Sequence, residues 1–111
     1  MAERLSLRAC MAAHLPAATF AVHVMRCVRT ELIRFDPQAA VHVDRGDRYV
    51  HLYGEAQGTM FSIVLTNDEV DEWKAEGSYA LDRYLWMELG KKDIFPPRMT
   101  PYLRTVFSIE S

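Results

Sequence analysis

The hydrophobic positions of this chain change their spacing twice, which divides it into helical and extended stretches. Over residues 17–35 apolar side chains recur every three or four positions, as expected for one face of a helix. These side chains are Phe20, Val24, Cys27, Val28, Leu32 and Phe35. A weaker stripe over residues 2–14 predicts a first helix, and Pro16 separates it from the second. Asp36-Pro37 predicts the end of the second helix, because a residue before proline disfavours the α conformation.

Three stretches rich in β-branched and aromatic residues follow, at 40–43, 48–53 and 59–65, separated by glycine-bearing turns at 44–47 and 54–58. Connections this short join antiparallel neighbours, so the pattern predicts a three-strand antiparallel meander. Strict alternation predicts one apolar face, made of Val41, Val43, Val50, Leu52, Phe61, Ile63 and Leu65. The opposite face contains His42, Tyr49, His51, Tyr53, Met60, Ser62 and Val64.

The register of the first hairpin has two solutions in the sequence. A two-residue loop brings all the aliphatic side chains together on one face, and we prefer it for that reason. A three-residue turn with a glycine bulge would move the register by one residue and change which side chains meet.

Two more helices are predicted after the strands. Thr66 and Glu69 have the spacing of a capping box, which marks the start of a helix that ends at Gly77. Ser78 is a suitable cap for a further helix over 79–89. This last helix is apolar on two sides, so we expect it to be covered on two sides.

Residues 93–111 are expected to form an extended C-terminal tail, with three prolines in its first part. The alternation of apolar and polar residues within 102–110 predicts a short strand, or an arm that pairs elsewhere. With residues 1–15 as an N-terminal helix, the 111 residues predict a single α+β domain of order ααβββαα. Half of the residues are hydrophobic, which is enough to form a core without disulfide bonds.

Few large apolar residues precede Cys10, whereas a signal peptide needs an apolar stretch of about 7–15 residues before its cleavage site. The following stretch, 12–25, is interrupted by His14, Pro16 and His23, so it is too short and polar to span a membrane. The sequence therefore predicts a cytoplasmic protein that does not bind a membrane.

The charge of the chain is unevenly distributed. Residues 51–90 contain eight acidic and two basic residues, a net charge of −6. The order helix, three antiparallel strands, helix resembles that of double-stranded RNA-binding domains, in element order alone. Those domains present lysines at the start of the helix after the third strand. Here Asp68, Glu69, Asp71 and Glu72 stand there, so we do not expect nucleic acid as a partner.

The His- and Tyr-rich face of the sheet is the candidate ligand site, formed by His42, Tyr49, His51 and Tyr53. A diagonal histidine pair lies about 7–8 Å apart, within joint reach of an anion. A zinc site needs three or four protein ligands, and no third ligand is apparent, so neither a metal nor a cofactor is predicted. A small enzyme or a small-ligand-binding domain that uses this face is the alternative hypothesis for function, with no catalytic residue assigned.

The helix over 79–89 provides the candidate protein interface, in which Tyr79, Arg83, Trp86 and Met87 lie outside its main apolar stripe. Tyr, Trp and Arg are enriched among the residues that dominate binding energy at interfaces. This second face is covered either by the C-terminal tail or by a partner. The leading hypothesis is therefore a non-enzymatic protein-binding or adaptor domain, which binds another protein or a second copy of itself.

Overall fold

The computed structural model of the chain describes residues 7–108, and it confirms the α+β class and the predicted order of the first seven elements. The elements are α1 (Leu7–His14), α2 (Ala17–Phe35), β1 (Ala40–Arg45), β2 (Tyr49–Ala56), β3 (Thr59–Thr66), α3 (Asn67–Glu76), α4 (Ala80–Gly90) and α5 (Pro101–Val106). The start of the first predicted helix, 2–6, and the end of the predicted tail, 109–111, lie outside the described residues.

The prediction of a short terminal strand was wrong, because the described part of the C-terminal segment ends in the short helix α5, after a stretch without helix or strand at 94–100. Thr100 begins the helix: its side chain accepts a hydrogen bond from the backbone N–H of Leu103, at 3.2 Å. Pro101 occupies the first helical position, where its missing N–H has no helical partner to lose. Leu103 and Val106 are buried three positions apart on one face of α5.

The three strands form one antiparallel sheet in the order β1-β2-β3, with the predicted apolar face turned inward. The first hairpin turns two residues later than predicted: Gly46 N–H bonds the Tyr49 carbonyl at 2.9 Å, so Asp47 and Arg48 form the loop. A shift of two residues keeps every side chain on its face, whereas the three-residue alternative would have exchanged the faces.

The second hairpin turns at Gln57 and Gly58, whose φ angles of 53° and 78° suit the tight two-residue loops that join antiparallel strands. Gly54, predicted to lie in this turn, is instead inside β2, with φ of 146°. A Cβ atom at Gly54 would collide with the backbone carbonyl oxygen of Ala40 on β1. The close approach of β1 and β2 therefore requires glycine at this position.

Helices cover only the inner face of the sheet in the described part of the chain. The side chains of α2 and α4 that fill the space above the sheet are fully buried: Phe20, Val24, Val28, Leu81, Leu85 and Leu89. On the outer face Met60 is 76% exposed and Val64 is 53% exposed. The fold is therefore a two-layer sandwich of helices on a sheet, with one face of the sheet open. None of the helices within 7–108 combines the length and the apolar character needed to cross a bilayer.

The predicted capping box at the start of α3 is present. Glu69 N–H donates to Thr66 Oγ1 at 3.1 Å, and Thr66 N–H donates to Glu69 Oε1 at 2.8 Å. The start of α4 differs from the prediction, because the helix follows Tyr79 without a side-chain cap, and Ser78 does not cap it.

Candidate functional site

The outer sheet face is the open surface formed by His42, Asp44, Tyr49, His51, Tyr53, Met60, Ser62 and Val64. Its centre is Tyr53, whose ring lies 5.3 Å from the ring of His42 and 4.4 Å from that of His51. The Tyr53 hydroxyl donates to Asp44 Oδ2 at 2.9 Å, and His51 Nε2 lies 2.7 Å from the Ser62 hydroxyl. The structure thus brings three of the four predicted ligand-site residues into contact.

The chemistry available on the outer sheet face is limited by this mutual bonding. The hydrogen bond to Asp44 raises the pKa of the Tyr53 hydroxyl, so Tyr53 stays protonated and is a donor at neutral pH. Tyr49 is 44% exposed, and its ring lies over Gly46 rather than beside the two histidines. A small ligand needs a concave site. Of the four predicted ligand-site residues, His42 and Tyr53 border the depression described next.

That concave site is the cationic cleft, a depression of about 290 Å³ between α2 and the edge strand β1. Its walls are Arg26, Arg29, Val41, His42, Val43, Asp44 and Tyr53. Arg29 Nε donates to the backbone carbonyl of Val41 at 2.9 Å, and Arg26 is exposed. Among residues 7–108, neither arginine forms an ion pair with a carboxylate.

The predicted interface on α4 is mostly engaged inside the molecule. Trp86 is only 4% exposed, and its indole N–H donates to the Tyr102 hydroxyl of α5 at 3.3 Å. Arg83 donates to the Val106 carbonyl at the end of α5, at 2.9 Å. The half-buried ring of Tyr79 lies 4.4 Å from the guanidinium carbon of Arg8. The C-terminal segment therefore covers the second face of α4, and Met87, at 61% exposure, is the predicted interface residue that points outward.

Met87 borders the apolar groove, a depression of about 440 Å³ between α4 and the segment that follows it. The groove is lined by Trp86, Met87, Gly90, Lys91, Phe95, Pro96 and Phe107. Phe95 is 57% exposed although its backbone is fixed: Gln57 bonds its N–H at 3.2 Å and its carbonyl at 2.7 Å. The groove thus presents two large apolar side chains from a backbone held in place.

A buried polar cluster, which sequence reasoning missed, lies beneath α4. The carboxylate of Asp82 is fully buried and pairs with the guanidinium of Arg8 from α1. Its second oxygen accepts a hydrogen bond from the Tyr102 hydroxyl at 2.7 Å. Burial, and then the charge of Asp82, raises the pKa of Tyr102, so the hydroxyl remains a donor. The cluster joins α1, α4 and α5.

Cys27 and His23 of α2 lie at the edge of this cluster, with Cys27 Sγ 3.6 Å from His23 Nε2 and 3.6 Å from Arg8 Nη2. A thiol beside an imidazole is the arrangement of a cysteine nucleophile. Here burial raises the pKa of the Cys27 thiol, against the opposing effect of Arg8. Burial and the charge of Arg8 lower the pKa of His23. These shifts favour the neutral thiol and the neutral imidazole, so they do not favour the thiolate that a cysteine nucleophile requires.

The signals for this cluster in the sequence are weak but identifiable. Asp82 lies four residues before Trp86, on the second apolar side of a helix that was expected to be covered on two sides. A carboxylate on a covered face requires a cationic or hydroxyl partner. The sequence does not indicate that Arg8, 74 residues away, supplies it.

Within the described residues, no three His, Cys, Asp or Glu side chains are placed to hold a metal ion. Comparisons of the chain with protein-family models, with curated proteins and with solved structures find no match. The apolar groove and the cationic cleft are the two concave surfaces described above that could receive a partner.

Proposed function

We propose that the chain is a non-enzymatic protein-binding domain and that the apolar groove is its docking surface. The observation that carries the proposal is the exposure of Met87 and Phe95 side by side at a concave surface. Exposed apolar side chains that cluster around a groove are typical of interaction sites. Methionine adapts its shape to different partners, and phenylalanine supplies a large contact area.

Preorganisation supports the proposal. Because both backbone groups of Phe95 are bonded to Gln57, the backbone at this position loses little conformational freedom when a partner binds. Trp86 forms the floor of the groove and is held by α5, so the groove is formed before a partner arrives. A surface of this kind binds with a smaller entropic penalty than a loop that must first be ordered.

The charge around the groove indicates the chemistry of the partner. Lys91 lines the groove, and its exposed ammonium group bonds Glu88 at 2.8 Å. An exposed ion pair of this kind is weak, so a carboxylate of a partner can replace Glu88. An amphipathic segment of a different protein, with carboxylates beside its apolar residues, complements this lysine. The proposal retains the sequence-based expectations of a cytoplasmic location and of a partner that is neither nucleic acid nor membrane.

The test is a selection of random peptides displayed on phage against the wild-type protein, followed by affinity measurements with the selected peptides. We expect apolar sequences flanked by acidic residues to be enriched. The double variant Met87→Glu/Phe95→Glu should weaken their binding at least tenfold. Val64→Glu introduces the same charge at an exposed apolar position of the outer sheet face and should leave binding unchanged.

The proposal is overturned if no peptide is enriched, or if the selected peptides bind the double variant as tightly as the wild type. Sedimentation velocity over a range of concentrations adds a second readout. A dimer that is lost in the double variant would assign the groove to a second copy of the chain instead of a different protein.

A further inference from the structure

The cationic cleft shares no residue with the apolar groove. Its walls include Val41 and Val43 from the inner face of β1 and His42 and Asp44 from the outer face. A depression bordered by both faces of one strand must run along the edge of that strand. The cleft therefore follows the free edge of the sheet.

The backbone at this edge is available for pairing. Within residues 7–108, β1 pairs with β2 and with no other strand. Gly46 N–H points toward β2, and backbone groups alternate in direction along an antiparallel strand, so Val41 and Val43 direct theirs outward. The bond from Arg29 Nε to the Val41 carbonyl agrees with this assignment. Among residues 7–108, no hydrogen-bond partner is found for the outward N–H and C=O of Val43.

Two guanidinium groups lie beside these free backbone groups. Arg26 and Arg29 of α2 line the cleft, and the one carboxylate among its described walls, Asp44, is hydrogen-bonded to Tyr53. Charged side chains near an edge strand often serve only to prevent unwanted pairing. This protective role explains why Arg29 bonds the Val41 carbonyl. It does not explain the backbone groups of Val43 or the charge of Arg26, which have no partner among residues 7–108.

We propose that the cationic cleft binds an extended acidic segment of a partner protein, which adds to β1 as a fourth strand of the sheet. Backbone hydrogen bonds to Val41 and Val43 give the added strand its register, as in β-strand addition at exposed sheet edges. Carboxylates at alternate positions of the segment lie on the side of α2 and pair with Arg26 and Arg29. Arg29 exchanges its backbone acceptor for a carboxylate when the segment binds.

The proposal commits to a peptide strand because the free edge offers alternating backbone donors and acceptors, which a small anion cannot match. It is independent of the apolar groove. Met87→Glu/Phe95→Glu should leave binding at the cleft unchanged, so the two proposals succeed or fail separately.

The test is an NMR titration of the isotope-labelled protein at low salt with a peptide of alternating valine and glutamate, equal in length to the six residues of β1. We expect the amide signals of Val41 and Val43 to shift and their hydrogen exchange to slow. Added salt should weaken the interaction, because exposed charges are screened. Arg26→Ala/Arg29→Ala should reduce the affinity about tenfold or more. Arg34→Ala, an exposed arginine of α2 outside the cleft, is the matched control.

Three further probes make the outcome decisive. The charge-reversed variant Arg26→Glu/Arg29→Glu should prefer a peptide of alternating valine and lysine. The same acidic peptide with N-methylated backbone amides should lose binding, because it cannot pair with β1. Glutarate, a dicarboxylate without a peptide backbone, should bind much more weakly.

If the N-methylated peptide or glutarate bound as tightly as the unmodified acidic peptide, the addition of a strand to β1 would be disproved. The site would then be a pocket for carboxylates. Equal binding of the lysine peptide to the wild type would exclude the role of the two arginines. If no amide of β1 responds to the acidic peptide at millimolar concentration, the proposal is wrong.

Discussion

At the scale of single residues, the buried pair of Arg8 and Asp82 dominates the interior. Removing a charge from water is costly, and the mutual attraction of the two groups offsets that cost only when their other polar atoms are also bonded. Tyr102 satisfies the second oxygen of Asp82, and Arg8 also donates to the Ser78 carbonyl at 3.3 Å. These bonds therefore constrain how α1, α4 and α5 pack against one another. An apolar contact would define their relative position less strictly.

Removal of the Asp82 carboxylate and removal of the Tyr102 hydroxyl that bonds it should lower the stability of the fold by different amounts. Asp82→Ala leaves Arg8 buried without its counter-charge and should lower the free energy of unfolding by about 3–5 kcal/mol. Tyr102→Phe keeps the ion pair but removes the hydrogen bond to Asp82 together with the longer one from Trp86. The loss of the first, which is made to a charged group, should lower the free energy of unfolding by about 1.5–3 kcal/mol. Urea unfolding followed by circular dichroism measures both values. A loss for Tyr102→Phe as large as that for Asp82→Ala would contradict the dominant role of the pair.

The raised pKa of Cys27 predicts that its thiol reacts slowly with alkylating reagents. The thiolate is the reactive species, and a raised pKa reduces its fraction at neutral pH, so alkylation should be slower than that of free cysteine. The rate should continue to rise with pH above the point at which free cysteine levels off. Iodoacetamide labelling of a Cys10→Ser variant, followed by mass spectrometry, reports Cys27 alone. The same variant unfolded in urea is the control and should react at the rate of free cysteine.

The residues of the outer sheet face and those of the buried cluster differ in how far sequence could predict them. His42, His51 and Tyr53 were placed together because strand alternation is local and survives a change in the position of the turn. Asp82 and Arg8 meet across 74 residues of sequence, and the spacing within either helix does not encode that meeting. A charged residue is by default expected at the surface.

At the scale of elements, the start of α3 can be predicted from a signal within four consecutive residues. Thr66 and Glu69 bond each other's backbone N–H groups, and the contact needs no partner from elsewhere in the chain. Thr66→Ala removes the acceptor for Glu69 N–H and should lower the free energy of unfolding by about 1 kcal/mol. Thr66→Ser keeps a hydroxyl at the same place and should be nearly neutral. Thermal unfolding distinguishes the two, and equal losses would show that the hydroxyl is not the cause.

The helix α5 was missed although its start has a comparable signal. Thr100-Pro101 combines a capping residue with a proline at the first helical position, and Leu103, Val106 and Phe107 follow at helical spacing. The alternation of apolar and polar residues in the same short stretch also fits a strand, and six residues are too few for periodicity to decide. Contact with α4 decides it, because Val106 and Leu103 are buried there.

At the scale of the whole molecule, the two layers predict an unequal distribution of stability across the sheet. Leu52 is fully buried against the helices, so Leu52→Ala should lower the free energy of unfolding by about 2–5 kcal/mol. Met60 points from the outer face into solvent, so Met60→Ala should change it by less than about 0.5 kcal/mol. Chemical denaturation of both variants tests the architecture directly. A large loss for Met60→Ala would mean that the outer sheet face is covered in solution.

The hairpin tip at Gln57 connects parts of the molecule that are remote in sequence. Its side chain bonds Phe95 in the segment after α4, and its backbone N–H bonds Asp36 Oδ2 at the end of α2, at 2.8 Å. Two-residue hairpin tips are usually convenient places to insert an affinity tag or a fluorescent label. In this molecule an insertion at 57–58 would break the hydrogen bonds that join the hairpin to the end of α2 and to the segment that carries Phe95. A reporter attached there would disturb the surface that it is meant to observe.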